Sequence, residues 1–135
     1  MMPEDDNYLM DSTDIWVSEP ESSPVRSQSF AFSLEIIRLY KQLESHREYV
    51  VSKQLLRSGT SIGANVEEAA AAESRKDFVH KMNIALKEAR ETHYWLRLLN
   101  ESDLTPDLEV SNQLHHANDL VRMLTAIVKT TRENT

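Results

Sequence analysis

Residues 52–99 read SKQLLRSGTSIGANVEEAAAAESRKDFVHKMNIALKEARETHYWLRLL. This stretch holds both glycines of the chain, its run of alanines and one of its two tryptophans. Val51, Leu55, Ser58, Ile62, Val66 and Ala69 recur at 4-3-4-4-3 spacing, which puts them on one side of a helix over about 50–72. Phe78, Met82, Ala85, Ala89, Thr92, Leu96 and Leu99 recur at 4-3-4-3-4-3 and predict a second helix, widened by Val79, Leu86, Tyr94 and Trp95. Ser74 with Asp77 three residues on resembles a capping box and sets the start of that helix. Gly59 and Gly63 lie on a stripe of small residues in the first helix. A helical glycine costs about 1 kcal/mol against alanine, so the pair needs a reason. Close helix approach is the favoured one; a kink at the polar Ser58–Ser61 run is the other.

Working outward, Phe32, Ile36, Leu39 and Leu43 form one apolar stripe over 29–45, and Phe30, Leu34, Ile37 and Lys41 form a second. Ser27 and Ser29 are the candidate N-caps there. A fourth helix is expected over 106–132, with Thr105 as N-cap, Pro106 at its first position and Leu108, Leu114, Ala117, Val121, Leu124 and Val128 inward. No proline interrupts 28–105, and a sheet lacks the turn residues it would need. The expected fold is all-α: an antiparallel up-down four-helix bundle over 28–132 behind a disordered acidic tail at 1–27. The apolar faces of the first and third helices are wide for a lone bundle, which points to self-association.

The net charge of −7 belongs to the tail. Residues 1–25 carry seven acids and no Lys or Arg, so the remaining 15 acids and 15 bases cancel. Tyr8, Leu9, Met10, Ile15, Trp16 and Val17 stand among those acids, a mixture suited to docking on a partner or on the chain's own domain. There is no cysteine, hence no disulfide, thiolate metal site or cysteine nucleophile. No apolar run approaches the ~20 residues of a membrane span, and the acidic start is not a secretory signal. A cytoplasmic location is expected, without membrane association.

Catalytic constellations are poorly supported. A di-iron bundle needs Glu-x-x-His on two helices, and only Asp77/His80 comes near. His115 and His116 are adjacent and point about 100° apart on a helix. The run Arg57–Gly63 lacks the Gly-Lys-Ser/Thr ending of a phosphate loop. Glu88 and Glu91 share a face, with Arg57, Arg90 and Arg97 available as partners; Lys87–Glu91 and Arg97–Glu101 read as exposed pairs one turn apart. No catalytic, metal or cofactor site is assigned. Lys53, Arg57, Arg75, Lys76, Lys81, Arg90 and Arg97 are candidate phosphate contacts on the second and third helices, with acids interleaved. The expected function is a non-enzymatic, oligomeric helical scaffold or adaptor associated with RNA or a ribonucleoprotein. The alternative is direct, sequence-independent nucleic-acid binding through those basic residues.

The runs Gln54–Ala69, Asp77-Phe78, Ile84–Thr92 and Tyr94-Trp95-Leu96 resemble the bacterial four-helix bundle protein family. Its members include S23-type proteins encoded within intervening sequences of 23S ribosomal RNA genes, and the resemblance covers about residues 28–130. It implies a fold similar to the accessory protein of diversity-generating retroelements, a pentameric barrel that binds nucleic acid and a reverse transcriptase. The implied partners are therefore four further copies of the chain, and RNA, DNA or a nucleic-acid-handling protein. Gly59, Gly63 and Trp95 become packing and assembly residues, and no catalytic residue is carried over.

Overall fold

The computed structural model describes residues 23–134; the apolar residues of the acidic segment, Trp16 among them, lie outside these. Four helices follow one another: α1 (Pro24–Ser45), α2 (Val51–Ala70), α3 (Arg75–Glu101) and α4 (Ser111–Glu133). Short connections make each antiparallel to the next, and α1 closes the bundle against α4 through its sparsest seam. No strand occurs among the described residues.

α1 begins a turn earlier than the Ser29 start expected. Val25, Ser29, Phe32 and Ile36 are all buried, so the inward stripe extends back to Val25. Pro24 sits at the first turn, where its missing N–H costs nothing, and Ser23, not Ser27 or Ser29, is the N-cap residue. Residues 24–27, assigned above to the tail, thus belong to the helix. The turn into α2 uses Arg47 in the left-handed region (φ 63°). Glu48 then caps α2: its carboxylate accepts from the N–H groups of Val50, Val51 and Ser52 at 3.1, 3.0 and 2.6 Å. That satisfies donors a helix start leaves unpaired and sits favourably at the positive end of the dipole. Ser74 caps α3 as expected, accepting from Asp77 N–H at 3.0 Å.

α4 starts at Ser111, five residues after the Pro106 expected. Its inward stripe runs back through Leu120, Ala117 and Leu114 to Val110. One further turn would bring Asp107 inward, and burying its carboxylate is costly. Residues 102–110 instead form a loop, with Asp103 left-handed (φ 62°) and Thr105 and Val110 buried as anchors. Glu109 accepts from Ser111 N–H at 3.2 Å. Leu108, expected on the helical stripe, packs on the core from this loop.

The glycines decide how tightly α1 and α2 meet. α2 is one continuous helix across both. A Cβ added at Gly59 would lie 2.9 Å from both Ile36 Cγ1 and Cγ2. At Gly63 it would meet Ser33 Oγ at 3.2 Å and the Ser29 carbonyl oxygen at 3.3 Å. The small residues of α2 therefore face Ile36 and two serines of α1, and the helices approach almost backbone to backbone. Replacing Gly59 by alanine gains about 1 kcal/mol of helix propensity but over-packs a buried site at a cost of about 1–3 kcal/mol. Urea unfolding is expected to show a net loss for G59A in the native background. In an I36A background the sign reverses, because the clashing Cγ1 and Cγ2 carbons are gone and only Cβ, at 3.3 Å, remains to give way.

Candidate functional site

The polar residues of the signature stretch converge on the α2/α3 seam. Arg57, on the outer edge of α2, reaches across to the carboxylates of Glu88 (3.3 Å) and Glu91. Gln54, one turn before it, accepts from the same guanidinium at 3.4 Å. Trp95 Nε1 donates to Glu91 Oε2 at 2.9 Å, and Tyr94 meets the Trp95 ring edge-on with centroids 5.2 Å apart. Glu91 is thus committed to Arg57 and Trp95 and does not make the expected pair with Lys87. Beneath this cluster, Thr92 Oγ1 lies 2.8 Å from both Ser58 Oγ and the Glu88 carbonyl oxygen. One hydroxyl proton cannot serve two acceptors, so the Ser58 hydroxyl must supply the second bond. Both side chains are fully buried.

Other pairs fasten the remaining helices. Arg26 Nε and Nη2 donate to Glu67 at 2.6 and 2.5 Å, tying the first turn of α1 to α2. This pairing holds the Glu67 carboxyl below its ordinary range, against a smaller opposing effect of burial. Lys81 pairs with Glu68 at 2.8 Å, and that hydrogen bond raises the lysine. His116 Nδ1 and Glu35 meet at 2.8 Å across the α1/α4 seam, beside a cleft of about 190 Å³ lined by Gln28, Ala31, Phe32 and Leu120. No group of three or more His, Cys, Asp or Glu positioned to hold a metal occurs among the described residues. No described helix is long and apolar enough to cross a membrane.

The structure sorts the seven candidate phosphate contacts into distinct settings. Arg57 and Lys81 are bound into the α2/α3 seam by carboxylates. Arg75 is half-buried in the first turn of α3. Lys53 is exposed on α2. Lys76, Arg90 and Arg97 share the outward face of α3, Arg97 with Glu101 at 3.9 Å. Lys87 and Tyr94, not among those candidates, are exposed on the same face. Their signal lay in the sequence as the positions two before each core residue of α3. Gly59 and Gly63 serve contact within the chain, and Trp95 is half-buried in the Arg57 cluster.

The model of the 23S rRNA-intervening sequence protein family matches residues 21–126. The chain belongs to this family. A protein of unknown function from the S23 ribosomal protein family of Bacteroides thetaiotaomicron VPI-5482, known from a crystal structure, is 45% identical. It superposes with a TM-score of 0.71, covering 78% of this chain and 95% of that one. No curated protein matches the chain.

Two outcomes test how these contacts act. T92V leaves the buried Ser58 hydroxyl short of a partner and is expected to cost about 1–3 kcal/mol in urea unfolding; the S58A/T92V double variant loses less than the sum of the singles. For the Arg26–Glu67 pair, a lowered carboxyl stabilises the fold above its unfolded value and stops doing so as pH falls through the folded one. E67Q is therefore expected to be less stable than the native chain by up to about 1 kcal/mol at neutral pH. That difference should close as acid protonates Glu67.

Proposed function

We propose that the protein is a non-enzymatic helical scaffold that assembles from copies of itself, with a ring of five as the expected form. The observation that carries this reading is the outward face of α1. Phe30, Leu34 and Ile37 are 62, 40 and 38% exposed and lie directly opposite the buried Phe32–Ile36–Leu39 stripe. A helix that faces solvent on that side has no use for three large apolar residues in line, whereas an assembled one buries them. A closed ring also needs a second, different patch. Tyr49, Val50 and Leu104 provide exposed apolar surface at the end of the bundle where the α1–α2 turn and the α3–α4 loop lie together. The Arg57, Arg26 and Lys81 clusters described above are used in fastening helices to one another.

The second reading is contact with nucleic acid through the basic residues of α2 and α3. The exposure of Lys53, Lys76, Arg90 and Arg97 favours it, as does a family description that refers to ribosomal RNA. The same scaffold would then hold several such surfaces in one particle. Light scattering at micromolar concentration tests the assembly reading: a mass five times the 15.6 kDa of one chain is expected. L34E and I37E should reduce it to the single-chain mass with helix content unchanged. A native chain that scatters as a monomer overturns the reading.

A further inference from the structure

The core stripe of α3 is Phe78, Met82, Ala85, Ala89, Thr92, Leu96 and Leu99. Stepping back two residues turns the helix by 200° and selects its opposite face. The residues there are Lys76, His80, Asn83, Lys87, Arg90, Tyr94 and Arg97. All except the half-buried Asn83 are exposed, and none is acidic. The line runs for about 30 Å along the helix. The carboxylates that interleave with these bases in sequence are turned away from it. Glu88 and Glu91 face Arg57 on α2, Asp77 is half-buried near Lys81 in the first turn, and Glu101 lies on the outward side beyond Arg97. A bundle that is neutral as a whole therefore carries one uninterrupted basic face. Among the described residues, Lys76, Lys87 and Arg90 on this face have no ion-pair partner within 4 Å.

Tyr94 adds what a plain cationic face lacks. The residue is 51% exposed, stands in line between Arg90 and Arg97, and its ring packs edge-on with Trp95, which Glu91 in turn fixes. Beside it a shallow recess of about 150 Å³ is lined by Arg97, Leu98, Glu101 and Ser102. An aromatic face within a row of cations is the arrangement that stacks an unpaired base while neighbouring charges neutralise its backbone. A duplex keeps its bases stacked on one another and would leave Tyr94 unused. A lipid surface would require a continuous apolar stripe, which this face does not have.

We propose that the outward face of α3 binds single-stranded nucleic acid, with Lys76, Lys87, Arg90 and Arg97 on phosphates and Tyr94 under a base. This rests on the second reading above and gives it a face, a strand form and a residue that reads bases as rings. The test uses the full chain and fluorescein-labelled 20-nucleotide oligouridylate and oligothymidylate, followed by anisotropy from 50 mM salt upward. The two oligonucleotides distinguish ribose from deoxyribose strands, and binding of either supports the proposal. Four phosphate contacts predict a log–log salt slope near −3, at about 0.7 per contact on single strands. K87E/R90E is expected to weaken binding at least tenfold and to roughly halve that slope, without changing the thermal midpoint by more than a few degrees. Y94A is expected to weaken binding about 5- to 100-fold while leaving the slope as it was.

The proposal is overturned by absence of binding at 50 mM salt, or by unchanged affinity in K87E/R90E. It is equally overturned if Y94A is silent, or if a 20-base-pair duplex or polyglutamate competes as well as the single strand. I37E separates this idea from the assembly reading. A monomeric I37E that still shows the Y94A effect supports strand binding by each chain alone. A native chain that scatters as a monomer, beside a K87E/R90E that loses the strand, sinks the assembly reading and leaves this one standing.

Discussion

The close passage of α2 over α1 constrains everything else in the bundle. With no side chain at Gly59, Ile36 sits against the α2 backbone, and at Gly63 two α1 serines do the same. An ordinary pair of helices is held 8–10 Å apart by the side chains between them. Here α2 contributes almost nothing to that gap at Gly59 and Gly63, and a Cβ at either position would meet α1 within 3.3 Å. The closeness matters on both sides of α2. The opposite edge carries Ser58, fully buried, whose hydroxyl meets Thr92 of α3. A shift of α2 away from α1 would press it into α3, and the Ser58–Thr92 pair and the Arg57 reach to Glu88 and Glu91 depend on the present spacing.

The polar contacts then act as a register. Apolar stripes alone tolerate a helix sliding by a turn, since leucine meets leucine again about 5.4 Å on. Arg26 with Glu67, Glu68 with Lys81, Arg57 with its two glutamates, and Glu35 with His116 each fit one alignment only. Exposed pairs of this kind contribute little stability singly. Their role in a bundle of similar stripes is to make alternatives to the native alignment worse, by leaving charges unpaired.

Much of this was legible in the sequence. The two stripes in residues 50–99, the Ser74 cap and the small-residue stripe around the glycines all follow from spacing, and the structure places them as that spacing requires. The errors share a cause. Glu48 caps α2 from outside the helix through three backbone N–H groups, and no residue-type rule for an N-cap points to it. Pro106 is a good first helical residue in isolation. It fails because the same turn would direct the Asp107 carboxylate toward a core that Val110 already closes. At α1 the stripe, and not the serines, fixed the start at Pro24. Helix ends were decided by where apolar surface runs out, which is a property of the packed bundle.

The charge pattern shows the same limit from the other side. Read along the chain, α3 alternates acids and bases and suggests an ordinary solvated surface. Read around the helix, Glu88 and Glu91 fall toward α2, where Arg57 awaits them, and Lys76, Lys87, Arg90 and Arg97 fall outward. The segregation is invisible to composition and to net charge, because a neutral total is the sum of a tied acidic seam and a free basic face. The partner helix makes the difference: by drawing Glu88 and Glu91 inward, Arg57 withdraws two negative charges from the surface that Lys87 and Arg90 occupy. The cluster that fixes α2 on α3 therefore also shapes the potential on the far side of α3. A substitution at Arg57 would release those carboxylates toward solvent and weaken the basic face without touching a residue on it.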